Sequence, residues 1–340
     1  MTSLLSLKKR LEKEKLDGLF VSKPENVSYL SGFKGGESYL LITQKKNFFI
    51  TDSRYAEQAK KETKGFKIES GSIVELIKKN KLKRCGFEAK HITYGEVSKI
   101  RDRLTSEEFL PTYDLVEDLR VIKTVDEINK IKKAIAVCLA ALDSLKGNIK
   151  PGDSEARLAA YIEYQMKLAG ALRASFDIIV LSGANASMPH GWPSARLIKK
   201  NEAVFIDAGA LVNGYNSDLT RAYFIGKPPV KIRKIYDIVK RAQELAIKAV
   251  RPGAAASEID RIARNYIKKQ GFGDYFGHAV GHGVGREVHE APSISPKSKA
   301  ILKPGMVFTV EPAIYVPGLG GIRLEEMVLV TEKGKQVISQ

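Results

Sequence analysis

The chain has 340 residues, of which 44% are apolar and 28% charged, and its formal net charge is +17. This length allows two domains with a core each, and the composition is that of an ordinary soluble globular protein. No run of about 18 apolar residues occurs, so we expect no membrane-spanning helix. The positive charges are spread along the chain among glutamates, which argues against specific nucleic-acid binding.

The N-terminal sequence and the cysteines both bear on location. The first 15 residues lack the uninterrupted apolar core and the small-residue cleavage site of a signal peptide, so we expect a cytoplasmic protein. Cys85 and Cys138 are isolated from each other and from any second sulfur ligand. We therefore expect both to be buried free thiols in a reducing compartment.

The first third of the chain alternates between helix and strand patterns, which predicts a compact α/β domain with a mixed sheet. Predicted helices begin near Leu4, at Asp52 and at Thr93, and predicted strands are Gly18–Val21, Ser38–Thr43, Asn47–Thr51 and residues 83–89. Asp52 and Arg54 fit a helix cap with a surface ion pair. The alternative is that they contribute to a substrate pocket across a domain or subunit boundary.

A domain boundary and an internal repeat follow. Thr124 and Glu127 form a capping box that opens a long helical pattern, so we predict two domains, 1–123 and 124–340. Further on, Ile149–Gly170 and Val250–Gly271 share a basic residue, Pro-Gly, a Ser-Glu helix start and a final glycine. In the second copy we predict Ser257 and Asp260 as a capping pair. The repeat predicts two related halves with a cleft between them.

A β-hairpin is predicted around Asn213-Gly214, a strong type I′ turn signal. In that register Gly209 faces Asp218, so Asp207 and Asp218 are diagonal neighbours on one face. Asp207 follows an apolar run, where an unpaired carboxylate is costly, and two carboxylates this close favour a cation between them. The alternative is a pair of aspartates that cap turns.

A second ribbon, Val307–Val330, carries two more acids in apolar surroundings. Glu311 follows an apolar run directly, and strand alternation puts Arg323 and Glu325 on the same face. By the same alternation Glu326 points to the opposite face, so we do not expect it to be a ligand. Ordinary surface acids on a strand are the alternative for Glu325 alone.

One histidine stands out among five. His282 lies in "GHGVG", where glycines allow the backbone and a ligand to approach closely. Four of the five histidines lie near these motifs: His190, His278, His282 and His289. Together with the four acids, His282 makes a mainly oxygen-donating site that suits Mn²⁺ best, with Co²⁺, Fe²⁺ or Zn²⁺ as alternatives. Bridging carboxylates would hold two such ions roughly 3.5–4 Å apart.

The blocks "IDAGA", "SDLTR", "GHGVG", "VHE", "TVEPAIY" and "GIRLEE" closely resemble those of the pita-bread metallopeptidases. Within that family the chain is similar to the Xaa-Pro peptidases, aminopeptidase P and prolidase, over essentially its whole length. The resemblance implies an α/β (α+β) fold of two domains. The first would be a creatinase/prolidase-type domain and the second a pita-bread catalytic domain with a pseudo-twofold repeat. Such enzymes are usually homodimers.

The resemblance also implies a role for each ligand. Asp207 and Asp218 would bind one metal ion and His282 the other, and Glu311 and Glu325 would complete the pair. Asp218 and Glu325 would serve as bridging carboxylates. Glu311 would also take the proton from the water that attacks the carbonyl before proline.

Other residues would act on the substrate. His289 would polarise the scissile carbonyl or stabilise the oxyanion. His190 and His278 would line the substrate pocket, with His190 in the catalytic set. Arg323 would orient the substrate or a neighbouring carboxylate, and Thr220 would support a metal ligand.

Substrate length is the open choice. Methionine aminopeptidase has the same five ligands, but the extra N-terminal domain and Arg323 favour the proline-directed branch. Some prolidases have an arginine directly after the His-Glu-x-Pro run, where this chain has Ser293. That difference favours aminopeptidase P, which cleaves the N-terminal Xaa-Pro bond of peptides. Prolidase, which cuts only dipeptides, is the alternative, since Lys297 or Lys299 could supply the missing cation. A non-catalytic peptide- or nucleic-acid-binding protein is a further alternative, which the complete ligand set argues against.

Overall fold

The computed structural model describes residues 3–340. Contacts divide the chain into two units, one that ends at Arg120 and a second, Val121–Gln340, and each has hydrophobic cores of its own. The boundary after residue 123 stays a prediction. Within the described part of the chain, no helix combines the length and the apolar character needed to cross a membrane. Cys85 and Cys138 are free and buried, as predicted.

The first unit is a six-stranded mixed sheet with helices on both faces. The strands lie in the order β4-β3-β2-β1-β5-β6, and β2 is antiparallel to both neighbours while the other pairs are parallel. Its elements are α1 (Ser3–Lys13), β1 (Gly18–Val21), α2 (Pro24–Ser31), β2 (Tyr39–Thr43), β3 (Asn47–Ile50), α3 (Ala56–Glu62), β4 (Lys67–Glu69), α4 (Ile73–Lys79), β5 (Arg84–Glu88), α5 (Tyr94–Arg101), β6 (Glu108–Thr112) and α6 (Glu117–Arg120).

The central strands of this unit are buried on both faces, which is why they read as continuous apolar runs. In β1, Leu19 and Val21 join the core under α1 and α2, whereas Phe20 joins the core under α4 and α5. The alternation of a strand thus divides one apolar sequence between two cores.

Parts of this unit differ from the prediction. Helices α2, α4 and α6 and the edge strands β4 and β6 were not predicted. Strand β4 has only three residues, and β6 contains Pro111, which weakens a strand signal. Helix α3 begins at Ala56 instead of Asp52. Asp52 Oδ1 accepts a hydrogen bond from Arg54 N at 2.9 Å and so closes a turn before the helix. The Arg54 side chain is paired with Asp52 and Glu37 and is 60% exposed, which agrees with a surface ion pair.

The second unit has two large cores, one under α7 and α8 and the other under α9 and α10, and a smaller cluster that includes Leu181, Phe205 and Tyr315. Side chains of β15 alternate between them: Val307 joins the first core and Phe308 the second. Its elements are α7 (Val125–Asp143), α8 (Glu155–Leu168), β7 (Arg173–Ala174), β8 (Ile179–Ser182), a 3₁₀ turn (Gly183–Ser187), β9 (Glu202–Ala208), β10 (Ala210–Val212), β11 (Tyr215–Asn216), β12 (Leu219–Ile225), α9 (Val230–Ala249), α10 (Ala256–Lys269), a 3₁₀ turn (Gly273–Tyr275), β13 (Gly281–Gly283), β14 (Glu290–Ile294), β15 (Val307–Val310), β16 (Ala313–Val316), β17 (Gly320–Arg323), β18 (Glu326–Thr331) and β19 (Gly334–Val337).

The internal repeat is visible in the backbone hydrogen bonds. Gly152 N donates to Ile198 O at 2.9 Å, and Gly253 N donates to Leu302 O at the same distance. Isolated bridges follow in both copies, Ser154 with Leu197 and Ala255 with Ile301. Each Pro-Gly turn therefore joins its helix to a later segment in the same way.

The capping pair predicted in the second copy is wrong. Helix α10 begins at Ala256, and its N-cap has no side-chain hydrogen bond. Asp260 is fully buried and accepts hydrogen bonds from Arg264 and from Val280 N, at 3.0 Å for the latter. Its carboxylate is thus used by the chain before β13, a partner that local sequence does not reveal. The capping box of Thr124 and Glu127, by contrast, is present at the start of α7.

Candidate metal centre

Two β-ribbons position the acidic residues. In the first, Val212 pairs with Tyr215 across the Asn213-Gly214 turn, and Thr220 pairs with Asp207 in the same register. This confirms the predicted hairpin. Strand β9 pairs with β8 and β12, whereas β10 pairs with β7 and β11. Asp218 lies where the pairing changes, and its carboxylate is close enough to Asp207 for the two groups to interact.

The second ribbon changes partners in the same way. Val310 pairs with Glu326 on one side of the change and Ala313 pairs with Arg323 on the other. The common register puts Glu311 and Glu325 opposite each other at that point. Glu325 N donates to Thr220 O at 3.2 Å, which joins the two ribbons. Each ribbon therefore presents its acids where the sheet is interrupted.

All five predicted ligands meet at one place. Asp207, Asp218, His282 and Glu311 line a cavity of about 590 Å³, and Glu325 is 2% exposed beside it. His282 Nε2 lies 3.2 Å from Glu311 Oε1 and 3.5 Å from Asp218 Oδ2. Ligand atoms of Asp218, His282 and Glu325 all lie within 4.8 Å of one another, a group that could hold a metal ion.

Hydrogen bonds orient these carboxylates, but two of their buried oxygens have no hydrogen-bond donor in the described part of the chain. Thr220 Oγ1 donates to Glu325 Oε2 at 2.8 Å, and Thr309 Oγ1 donates to Glu311 Oε1 at 2.9 Å. Across residues 3–340, Asp207 Oδ1 and Glu325 Oε1 are two of the few buried oxygens without a hydrogen-bond donor. Buried carboxylate oxygens without a partner are costly unless a cation takes that place. The residues present therefore fit a divalent metal ion.

The pKa shifts of the four acids also indicate a site for a cation. Burial raises the pKa of Asp218 and of Glu325 well above the ordinary value, and the neighbouring carboxylates raise it further. Burial also raises the pKa of Asp207. Glu311 is the exception: burial opposes its ionisation, but the hydrogen bond with His282 together with the charges of His282 and Arg323 outweighs burial and lowers the pKa of Glu311 to about 2. A cation between the acids would favour their ionised forms, which burial and the neighbouring carboxylates oppose.

His282 is oriented for ligation through one ring nitrogen. Its Nδ1 lies 3.2 Å from Gly283 O, so this nitrogen donates and Nε2 faces the acids. Burial alone would lower the pKa of His282, but the hydrogen bond and the charge of Glu311 raise it above the ordinary value.

Arg323 serves a neighbouring carboxylate, one of its two expected roles. It is 3% exposed and donates to Asp207 Oδ2, to Thr220 Oγ1 at 3.0 Å, to Pro189 O at 3.2 Å and to Tyr315 OH at 2.8 Å. These bonds fix Asp207 and engage all three guanidinium nitrogens. Glu326, as predicted, points away and accepts hydrogen bonds from Arg221 and Ser339.

His278 lines the cavity with both of its ring nitrogens engaged. Nδ1 lies 2.8 Å from Ala279 O, and Nε2 lies 3.3 Å from Tyr315 OH. Burial lowers the pKa of His278, so the ring is neutral. Tyr315, which joins Arg323 to His278, was not predicted. The signal in the sequence is an aromatic residue four positions after Glu311 on the same ribbon.

His190 and His289 are the more open imidazoles of the cavity. The ring of His289 lies 4.2 Å from that of His282, and burial together with the charge of His282 lowers the pKa of His289. A neutral imidazole can donate one hydrogen bond and accept another. The rest of the wall is largely apolar, with Phe176, Ile178, Ile179, Trp192, Pro193 and Val288.

The three positions considered for binding a substrate carboxylate, Ser293, Lys297 and Lys299, do not line the cavity. Ser293 is on β14 opposite His282, and its hydroxyl is bonded to Ser295 Oγ at 3.0 Å. Lys297 and Lys299 are not among the cavity-lining residues of the described chain.

The buried acids and the two-ribbon fold are those of a metal-dependent hydrolase, and comparison with known proteins gives the family. The family model for metallopeptidase family M24 matches residues 129–332, and that for the creatinase/prolidase N-terminal domain matches residues 4–122. The chain belongs to metallopeptidase family M24. Peptidases of this family bind a pair of divalent metal ions, as the resemblance implied.

Individual relatives match over nearly the full length. The chain is 40% identical to an Xaa-Pro dipeptidase of Pyrococcus furiosus, covering 99% of this chain and 97% of that protein. A solved Xaa-Pro dipeptidase from Bacillus anthracis has a TM-score of 0.96 at 38% identity, with 99% and 97% covered. An X-Pro aminopeptidase from Thermotoga maritima has a TM-score of 0.92 at 35% identity, with 100% and 98% covered. These matches confirm the predicted family and the two-domain fold.

Proposed function

We propose that this protein is an Xaa-Pro dipeptidase that hydrolyses the bond before proline with the help of two divalent metal ions. The observation that carries the proposal is the match to Xaa-Pro dipeptidases along both domains. The sequence alone favoured aminopeptidase P, with the dipeptidase as the alternative. The relatives support the alternative better.

The metal ligands in this proposal are the five residues of the acidic cavity. Asp207 and Asp218 would hold one ion and His282 the other, and Glu311 and Glu325 would complete the pair. When bound, the ions supply a Lewis acid for the scissile carbonyl and a hydroxide at neutral pH. The mainly oxygen donor set suits Mn²⁺ best, and Co²⁺, Fe²⁺ or Zn²⁺ would also fit.

Glu311 is the proposed general base. Once His282 holds a metal ion its Nε2 no longer donates to Glu311, whereas Thr309 Oγ1 still donates to Glu311 Oε1 at 2.9 Å and orients the carboxylate. The neighbouring cations would keep this carboxylate ionised, so it would accept the proton of the attacking water and pass it to the departing proline nitrogen.

Three histidines of the cavity act on the substrate. His289 donates its N–H to the scissile carbonyl or to the oxyanion that forms from it. His190 faces the same cavity and would bind the substrate carboxylate. His278 would contribute ring surface, since its two nitrogens are engaged within the protein.

The aminopeptidase remains a second candidate because of one observation. A strict dipeptidase must hold the free proline carboxylate, and among the described residues that line the cavity Arg323 is the one lysine or arginine. Its guanidinium is already bonded to Asp207. Ser293, in place of an arginine, leaves the cavity without a free cation from its own chain.

Substrate length decides between the two candidates. Ala-Pro and Ala-Pro-Ala should be compared with the Mn²⁺-loaded enzyme, with chelator-treated and Glu311→Gln proteins as inactive controls. The dipeptidase predicts hydrolysis of Ala-Pro and little of Ala-Pro-Ala. Efficient cleavage of the tripeptide would establish the aminopeptidase instead. Failure on both substrates would contradict the proposed proline specificity.

Assembly and location stay predictions. We expect a homodimer in the cytoplasm, without a specific nucleic-acid partner. Light scattering of the purified protein would test the dimer, and cell fractionation would test the location.

A further inference from the structure

A single exposed loop brings substrate-facing residues to the cavity. Residues 183–193, here called the His190 loop, follow β8 and place His190, Trp192 and Pro193 in the wall of the cavity. The outer part of the loop has little packing of its own: Met188 is 47% exposed and Trp192 is 73% exposed. The position of such a loop depends on how its ends are held.

One buried carboxylate holds both ends. Glu155 is the first residue of α8 and is 0% exposed. Its Oε1 accepts hydrogen bonds from Ser182 N at 2.8 Å and Ser182 Oγ at 2.9 Å. Its Oε2 accepts from Ser194 N at 3.2 Å and Ser194 Oγ at 2.7 Å. Asn185 Nδ2, inside the loop, lies 3.3 and 3.2 Å from the two oxygens. Ser182 and Ser194 are the residues that flank the loop.

Other bonds support parts of the loop. The start of α8 holds the later end through Ala156 N, which donates to Ser194 O at 3.0 Å. Arg196 supports the earlier end by donating to Ser182 Oγ. In the middle, Pro189 O accepts from Arg323, the residue that fixes Asp207. The loop is thereby connected to the acidic centre, and the Glu155 carboxylate binds its two ends to each other.

We propose that Glu155 is a positioning residue, which sets the His190 loop against the substrate without touching the substrate itself. This inference rests on the proposed function for its kinetic part. An ionised carboxylate accepts at both oxygens and donates nowhere, which suits five donor groups that converge on it. A glutamine would place an N–H against a donor at one end. Loss of the carboxylate should therefore loosen the loop while the ribbons that carry the metal ligands stay in place.

The loop contains its own reporter, because Trp192 is the one tryptophan of the sequence. In Glu155→Gln we expect acrylamide quenching of Trp192 fluorescence to increase and its anisotropy to fall. We also expect KM for an Xaa-Pro substrate to rise about tenfold, with kcat changed much less, because a buried charged hydrogen-bond centre is lost at the loop. Glu258→Gln is the matched control, since Glu258 lies near the start of α10 in the second copy of the repeat, with its carboxylate exposed and paired with Arg261.

A milder variant keeps the test decisive if Glu155→Gln does not fold. Ser194→Ala removes one hydroxyl donor at the later end of the loop and should change Trp192 quenching and KM in the same direction by a smaller factor. A folded Glu155→Gln or Ser194→Ala protein with wild-type quenching and wild-type KM would overturn the proposal. So would a lower melting temperature with both readouts unchanged, because Glu155 would then serve stability alone. The fluorescence arm needs no substrate, so it tests the loop even if the wild-type enzyme does not cleave Xaa-Pro peptides.

Discussion

At the scale of single residues, the geometry of the candidate metal centre depends on the hydrogen-bond donors of its acidic residues as well as on the acids themselves. Asp207 depends on Arg323, and Glu325 depends on Thr220. Arg323 Nε donates to Thr220 Oγ1 at 3.0 Å, so the two supports are joined. Such outer contacts fix the direction in which a ligand presents its lone pairs. A change that leaves all five ligands in the sequence can therefore still weaken metal binding.

Arg323→Lys tests this dependence. A lysine keeps the positive charge but cannot reproduce the fork that reaches Asp207, Tyr315 and Pro189 at once. We expect the dissociation constant for Mn²⁺ to rise about 10- to 100-fold, measured by isothermal titration or chelator competition. Arg233→Lys is the control, because Arg233 lies on α9 with its side chain 57% exposed. Equal affinity of the two variants would show that Arg323 does not position a ligand.

At the scale of elements, the sequence predicted what local pattern determines and missed what distant contacts determine. The register of the first ribbon follows from Asn213-Gly214, whose φ angles of 52° and 77° are those a type I′ turn needs. The starts of α3 and α10 were mispredicted, because neither predicted aspartate caps its helix. Asp52 accepts a hydrogen bond from Arg54 N in the turn before α3, and Asp260 accepts one from the distant Val280 N. Glu155 was missed for a related reason, since its partners lie 27 to 39 residues further along the chain.

The glycine before His282 gives an element-scale prediction. A Cβ on Gly281 would lie 1.9 Å from Thr309 O, in the neighbouring strand β15. Gly281→Ala should therefore separate β13 from β15 and lower the free energy of unfolding by about 3 kcal/mol, with loss of metal binding. The control is Gly277→Ala, where a Cβ meets nothing within 4 Å. Denaturant unfolding of both variants measures the difference, and equal stabilities would contradict the close approach of these strands.

At the scale of the whole molecule, all five predicted ligands lie in the second unit, Val121–Gln340. The first unit contributes none of them, and the charge of +17 is spread over both parts of the sequence. Ligand binding stabilises the part of a protein that forms the site, by an amount set by the free metal concentration relative to the dissociation constant. The stabilising effect of metal should therefore be distributed unequally along the chain.

Hydrogen exchange of the metal-free and Mn²⁺-loaded proteins makes this measurable. Without metal, the burial of four acidic side chains disfavours the closed ribbons, so local opening of β9, β12 and β15 should be frequent. Mn²⁺ binds only the closed ribbons, and at about ten times its dissociation constant it raises the free energy of opening by about 1.4 kcal/mol, which slows exchange in these strands about tenfold. Amides of β1 and β2 in the first unit are the internal control and should exchange at the same rate in both samples. Equal protection of both units, or of neither, would contradict a metal centre confined to the ribbons.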